Sequence, residues 1–134
     1  MFKNLKIIKL ENRALLKIKG EESKEFLQAL VTNNINFISN EKSIYSALLS
    51  PQGKYLYDFF IFQDSKSNYL TIDCEKNSYQ ELIQKLTIYK LRNNVEITLQ
   101  DTKDVFIIFG SDLIKFISNL KMAYQEGYTK NMSN

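Results

Sequence analysis

The chain has no histidine and a single cysteine, Cys74, among its 134 residues. Without histidine neither a Ser-His-Asp nor a Cys-His nucleophile can be assembled, which leaves carboxylates, tyrosine and lysine for proton transfer. One cysteine excludes an internal disulfide, in keeping with a reducing compartment. With no histidine to help, it also excludes a self-contained thiolate site for zinc or an iron-sulfur cluster, since these need about four ligands. Any metal chemistry requires a partner. Arginine is scarce: of 18 basic residues only Arg13 and Arg92 carry a guanidinium. Scattered lysines without planar arginine forks describe a solvated surface, not a specific nucleic-acid interface. No run of about 18 apolar residues is present, and Met1-Phe2-Lys3-Asn4-Leu5-Lys6 lacks the apolar core of a secretory signal. A cytoplasmic protein with no membrane association is expected. The length suits one compact domain that buries roughly two thirds of its unfolded surface.

What is present alternates between short strands and amphipathic helices. Segments 5–10 and 14–19 flank the polar turn Glu11-Asn12-Arg13 and suggest an N-terminal hairpin, broken by Gly20. Phe26, Leu27, Leu30 and Val31 fall at helical spacing, and Thr32-Asn33-Asn34 ends that helix. Strands are expected over 43–50 and 54–63, joined through Pro51-Gln52-Gly53, and over 69–74 after the polar turn at 64–68. Ser78-Tyr79-Gln80-Glu81 matches a capping box and opens a helix whose stripe is Tyr79, Leu82, Ile83, Leu86 and Tyr89. Strands over 95–99 and 105–109 follow, then a helix from Ser111 that buries Leu113, Ile114, Ile117 and Leu120. The pattern predicts an α+β fold with a largely antiparallel mixed sheet and about three helices, in one domain over 1–124 with a loose tail at 125–134.

Asp58 is the conspicuous residue. It interrupts the apolar and aromatic run Tyr55-Leu56-Tyr57-Asp58-Phe59-Phe60-Ile61-Phe62, and an ionised carboxylate in such a place costs several kcal/mol unless something pairs with it. Period two puts Lys54, Leu56, Asp58, Phe60 and Phe62 on one face and Tyr55, Tyr57, Phe59 and Ile61 on the other. Both faces are apolar, so the strand is expected to be covered on both sides, with Asp58 pointing into a pocket or covering layer. A hairpin turn at 64–68 would set Phe60 opposite Ile72 and Asp58 opposite Cys74, making these four one patch. Tyr45 falls near Asp58 across Pro51-Gln52-Gly53, its face depending on a one-residue choice of register. A carboxylate, a phenol and apolar walls can hold a flat heteroaromatic ligand, with the acid accepting from ring N–H groups. The alternative is an Asp satisfied by a neighbouring amide and a Cys that only packs.

Three stretches carry a resemblance to a known family: Gly20-Glu21 with Phe26-Leu27-Gln28 and Leu30-Val31-Thr32-Asn33, then Ala47 through Lys54 with Leu56-Tyr57-Asp58-Phe59, then Tyr89-Lys90-Leu91-Arg92 with Val95. Together they resemble the amino-terminal half of YgfZ-type folate-binding proteins, relatives of a mitochondrial iron-sulfur cluster assembly factor and, more distantly, of glycine cleavage T-protein aminomethyltransferases. The resemblance implies a tetrahydrofolate site and an auxiliary role in making or repairing iron-sulfur clusters. It places Tyr45, Asp58, Phe60, Ile72 and Cys74 as folate-binding residues, with Asp58 the catalytic residue in the case of a folate-dependent one-carbon transferase. Its implied partners are folate, iron-sulfur client proteins and a second polypeptide supplying the missing half. Departures bear on this. Thr32-Asn33-Asn34 lacks the acid found in the family's turn. Gly53-Lys54 and Tyr57-Asp58 replace the paired glycines and paired acids of transferases, which argues against aminomethyl transfer. The family's later Lys-Gly-Cys-Tyr-x-Gly-Gln-Glu signature is missing, Ala123-Tyr124-Gln125-Glu126-Gly127 being a superficial echo. The resemblance thus implies a truncated, split or degenerate member, with a folded remnant that binds no ligand as a further alternative.

Overall fold

A computed structural model describes residues 2–63 and 68–119. Seven strands and three helices run in the order β1 (Lys6–Lys9), β2 (Arg13–Lys19), α1 (Ser23–Gln28), β3 (Ile44–Leu49), β4 (Tyr55–Gln63), β5 (Leu70–Glu75), α2 (Tyr79–Lys90), β6 (Glu96–Leu99), β7 (Phe106–Phe109) and α3 (Leu113–Asn119). Five strands form one sheet in the order β3-β4-β5-β2-β6, every pairing antiparallel, while β1 and β7 form a separate two-stranded ribbon. The α+β class with antiparallel sheets and three helices agrees with the pattern of the sequence.

Strand alternation sorts the large sheet into two faces. Leu16 and Ile18 of β2, Ile72 and Cys74 of β5, Phe59 and Ile61 of β4 and Ile44 and Leu48 of β3 all point one way and are buried. Phe26 and Leu27 of α1 and Leu82 and Leu86 of α2 complete that core, the last two being one helical turn apart. Both helices therefore cover the same face of the sheet. The path from β2 into α1 depends on Gly20, whose φ is +133° and whose Cβ position would lie 2.1 Å from the Asn94 carbonyl oxygen. Only a residue without a Cβ lets the two chains approach this closely.

Several local expectations are corrected. The N-terminal hairpin does not form: both edges of β2 are taken by β5 and β6, and β1 pairs with β7 instead. The capping box is not made either, because Ser78 Oγ turns to the Glu75 carbonyl at 3.2 Å and leaves the first turn of α2 without a side-chain cap. Ile114 is exposed, not buried, and no residue of α3 belongs to the main core. The turn at 64–68 lies largely, and Leu120 and the tail at 125–134 wholly, outside the described residues.

Candidate functional site

The face of the large sheet away from the helices is closed over β2 and β5, where Leu15 and Thr71 are buried, and open over β3 and β4. On the open part stand Tyr45, Tyr55, Asp58 and Phe60. Tyr45 pairs with Phe60 across the strands, and Ala47 with Asp58, which settles the face left undecided for Tyr45. Its hydroxyl donates to Asp58 Oδ2, and the Tyr55 hydroxyl donates to Oδ1 at 2.8 Å. The Tyr45 and Phe60 rings lie 5.3 Å apart, tilted by 50°.

Tyr55 was expected on the opposite face. The β3–β4 register shifts after the Leu48–Tyr57 pair, so that Leu49 meets Tyr55 and Leu56 is skipped. A bulge of this kind reverses the inside-outside alternation below it, which brings Tyr55 round to Asp58. The glycine turn immediately before the strand is the sole sequence signal of that irregularity. Tyr57 keeps its expected side and bonds Glu81 of α2 through its hydroxyl at 3.1 Å.

Ile72 and Cys74 do not join this patch. The observed register sets Gln63 opposite Leu70, Phe60 opposite Asp73, Ile61 opposite Ile72 and Phe59 opposite Cys74, one residue from the expected pairing, and a one-residue slip exchanges the faces. Burial explains the choice, because in this register Phe59, Ile61, Ile72 and Cys74 all enter the helix-covered core. Tyr69 is drawn out of the strand, with Lys17 Nζ 4.4 Å from its ring centre and its hydroxyl accepting from Gln100 Nε2 at 3.2 Å. The Cys74 thiol sits 3.6 Å from the Ala14 carbonyl oxygen, and burial pushes its pKa up to about 12. It is a packing residue with little thiolate at neutral pH.

Asp58 also differs from expectation in its surroundings. It is half-buried, and its neighbours Tyr45 and Tyr55 are 56% and 63% exposed and Phe60 41%. Among the described residues no layer covers it, because both helices that pack on the main sheet lie on its other face. Two open depressions among the described residues, lined by Tyr89 and Leu91–Asn93 and by residues 3–6 with 109–111, do not include it. Its acceptors are satisfied chiefly by the two phenols, with its own backbone N–H contributing less.

The two hydroxyls hold the Asp58 carboxyl below its usual range, with smaller contributions from its own backbone N–H and then the Arg13 charge, against the opposing effect of partial burial. Tyr45 and Tyr55 are correspondingly raised, first through their hydrogen bonds to Asp58. Next to them Arg13 Nε and Asp73 Oδ1 form an ion pair at 2.8 Å, and Arg13 Nη2 also donates to the Asp73 carbonyl at 2.9 Å. Burial raises the Asp73 carboxyl despite that partner. Sequence reading missed this pair, having assigned Arg13 to a turn; the arginine's rarity among lysines was the available clue.

An ionised carboxylate has about four acceptor positions, of which the tyrosines occupy two. Asp58 therefore keeps acceptor capacity for a further N–H donor while Phe60 and Tyr45 offer ring faces for stacking. Its lowered pKa makes it a fixed acceptor, poorly matched to proton transfer near neutral pH. Among the described residues no group of three or more Asp, Glu, Cys or His side chains is placed to hold a metal ion, and no helix is long and apolar enough to cross a membrane.

The fold places the chain with a class of α+β proteins already known. Its backbone superposes on the crystal structure of glycine cleavage system aminomethyltransferase T from Bartonella henselae with a TM-score of 0.75, covering 92% of this chain and 34% of that one at 13% identity. By sequence the chain is similar to the mitochondrial iron-sulfur cluster assembly factor IBA57 homologs of Neurospora crassa, 30% identical over 73% of this chain, and of Pyricularia oryzae, 33% identical over 69%. It is also 23% identical to an aminomethyltransferase of Staphylococcus epidermidis over 77% of its length. No family model matches. The chain spans about a quarter of the length of the curated relatives, 24% of each of the two assembly factors and 28% of the transferase.

Proposed function

We propose that the chain binds tetrahydrofolate on the open β3–β4 face and serves as an auxiliary protein in iron-sulfur cluster assembly or repair, in the cytoplasm. The observation that carries the ligand reading is the Asp58 carboxylate, held ionised by Tyr45 and Tyr55 beside the exposed ring of Phe60. Those residues fit a pterin in chemistry: free acceptor positions for the N–H groups of its edge and aromatic faces for its plane. Tetrahydrofolate would supply the heteroaromatic ring and a carrier for one-carbon units. The protein's own part is to hold and orient that ring. The assembly role is supported by the names of the two fungal relatives, and iron-sulfur proteins are its proposed clients. Because the face is open, a second polypeptide is proposed to supply the remaining wall. Aminomethyl transfer is disfavoured by Tyr57-Asp58 standing where transferases carry paired acids, since Tyr57 turns its side chain to Glu81.

Calorimetric titration of the full chain with tetrahydrofolate should show saturable binding. Removing the charge in Asp58→Asn should weaken it about 10- to 100-fold, the worth of a hydrogen bond to a charged group. Absence of binding, or equal binding by Asp58→Asn and Phe60→Ala with native circular dichroism, would refute the site. For the assembly role, wild type and not Asp58→Asn should restore the activity of iron-sulfur enzymes in a strain deleted for the gene. Restoration by neither would refute that role.

A further inference from the structure

Thr32-Asn33, expected only to end a helix, acts on a strand. α1 stops at Gln28 with Ala29 as its C-cap, and Asn34, not its two predecessors, opens the short 3-10 turn Ile35–Phe37 by accepting from Asn36 N–H at 2.9 Å. Thr32 and Asn33 turn instead to the outer side of β3, which ends the strand order of the large sheet among the described residues. Thr32 N–H donates to the Ala47 carbonyl at 3.0 Å, and Thr32 Oγ1 accepts from Ala47 N–H at 2.9 Å. Asn33 Nδ2 donates to the Tyr45 carbonyl at 2.9 Å, while its Oδ1 accepts from Asn34 N–H at 2.7 Å. Between the two held residues stands the buried Ser46, whose hydroxyl accepts from Asn33 N–H at 3.0 Å and lies 3.3 Å from Thr32 Oγ1.

The residues held in this way are the ones that face Asp58. Ala47 stands opposite Asp58 and Tyr45 opposite Phe60, so the Tyr45 hydroxyl reaches the carboxylate diagonally, one step along both strands. A diagonal contact depends on how far β3 is shifted along β4. The ladder alone does not pin that shift, because the pairing slips immediately below, after Leu48. Packing of the ring does not pin it either, since Tyr45 is more than half exposed and has Phe60 as its ring neighbour. What remains is the backbone of residues 45–47, gripped on its outer side by Thr32 and Asn33.

We propose that Thr32 and Asn33 are positioning residues for the candidate site, locking residues 45–47 so that the Tyr45 hydroxyl meets Asp58. The consequence for tetrahydrofolate rests on the function proposed above; the contact itself belongs to the free chain. Losing the Asn33 amide leaves the Tyr45 carbonyl to water. Losing the Thr32 hydroxyl strands the Ala47 N–H and one side of the buried Ser46 hydroxyl. Either loss loosens the diagonal contact while sparing the Tyr55 bond to Asp58, which lies within β4.

The readout is the titration of the Asp58 carboxyl in the free chain, followed by carboxyl-carbon NMR. Tyr45→Phe sets the reference: without that hydroxyl Asp58 should titrate closer to its ordinary 3.8. Thr32→Val and Asn33→Leu, with native circular dichroism, should each reproduce most of that rise, Thr32→Ser should stay at the wild-type value, and neither of the first two should add to Tyr45→Phe. An Asp58 titration unmoved by both Thr32→Val and Asn33→Leu, a further rise when either is combined with Tyr45→Phe, or no rise in Tyr45→Phe itself would overturn the proposal. In case those variants do not fold, Asn33→Gln, which keeps the amide but displaces it by one methylene, is read by the same outcomes. In calorimetry with tetrahydrofolate, Asn33→Leu should weaken binding as much as Tyr45→Phe does. Binding weakened by Tyr45→Phe and not by Asn33→Leu overturns the positioning alone, whereas a wild type that does not bind counts against the function proposed above and leaves the titration to decide the positioning.

Discussion

Gly20→Ala is expected to destabilise the chain by about 2–5 kcal/mol through a contact that has no side chain in it. The new Cβ would stand 2.1 Å from the Asn94 oxygen, a separation that real Cβ atoms essentially never show. One strand end must move by close to an ångström, and the φ of +133° is itself strained for an L-residue, at about 1–3 kcal/mol. The movement also loosens the bonds from Asn94 N–H and Asn93 Nδ2 to the Glu22 carboxylate, and hydrogen bonds to a charged group are worth about 1.5–3 kcal/mol each, less where exposed. Against a total stability of about 5–15 kcal/mol this is a large fraction. Urea unfolding followed by far-ultraviolet circular dichroism should show a midpoint lower by about 1–2 M at unchanged slope. The equivalent Gly110→Ala has as close a clash, 1.9 Å from the Asn4 oxygen, but strains the ribbon instead of the main core. Its cost should appear as faster amide exchange in β1 and β7 with a smaller midpoint shift. A loss below about 0.5 kcal/mol for Gly20→Ala, the ordinary range of neutral surface changes, would refute the reasoning. So would equal losses for the two glycines.

Two further expectations concern titrating groups. Asp58 has a folded pKa below its unfolded value of 3.8, so it contributes stability that is present above that pH and lost as pH falls through the folded pKa. Asp73 has the opposite sign, its raised folded pKa favouring the fold at low pH. Urea midpoints of wild type and Asp58→Asn measured in parallel should therefore converge as pH falls below 3.8; a gap that widens on acidification would contradict the assigned sign. The Cys74 thiol, buried and pushed to about 12, should not react with a disulfide reagent at neutral pH in the folded chain. Labelling should follow global unfolding, and rapid labelling of native protein would show that the core opens at this point.

Iron-sulfur chemistry and ligand binding place different demands on the molecule. The proposed assembly role draws on similarity to relatives, whereas a carboxylate with spare acceptor capacity is a property of the β3–β4 face itself. Asp58, with its lowered pKa, suits binding and orientation better than proton transfer.

Local pattern was enough to read the helix over Tyr79–Lys90, the strands on either side of Pro51-Gln52-Gly53, and Asp58 as an unusual acid in an apolar strand. Each of these depends on residues within one turn or one strand, where periods of 3.6 and 2 and the conformational preferences of Gly and Pro act directly. Tertiary structure decided the rest. It sent β1 to β7 because β2 had both edges occupied, moved the β4–β5 pairing by one residue so that Ile72 and Cys74 could be buried, and skipped Leu56 so that Tyr55 reached Asp58. Register, edge partners and bulges are set by which arrangement buries the most apolar surface while satisfying the polar groups left outside. That comparison runs over the whole chain at once, and no single segment contains it.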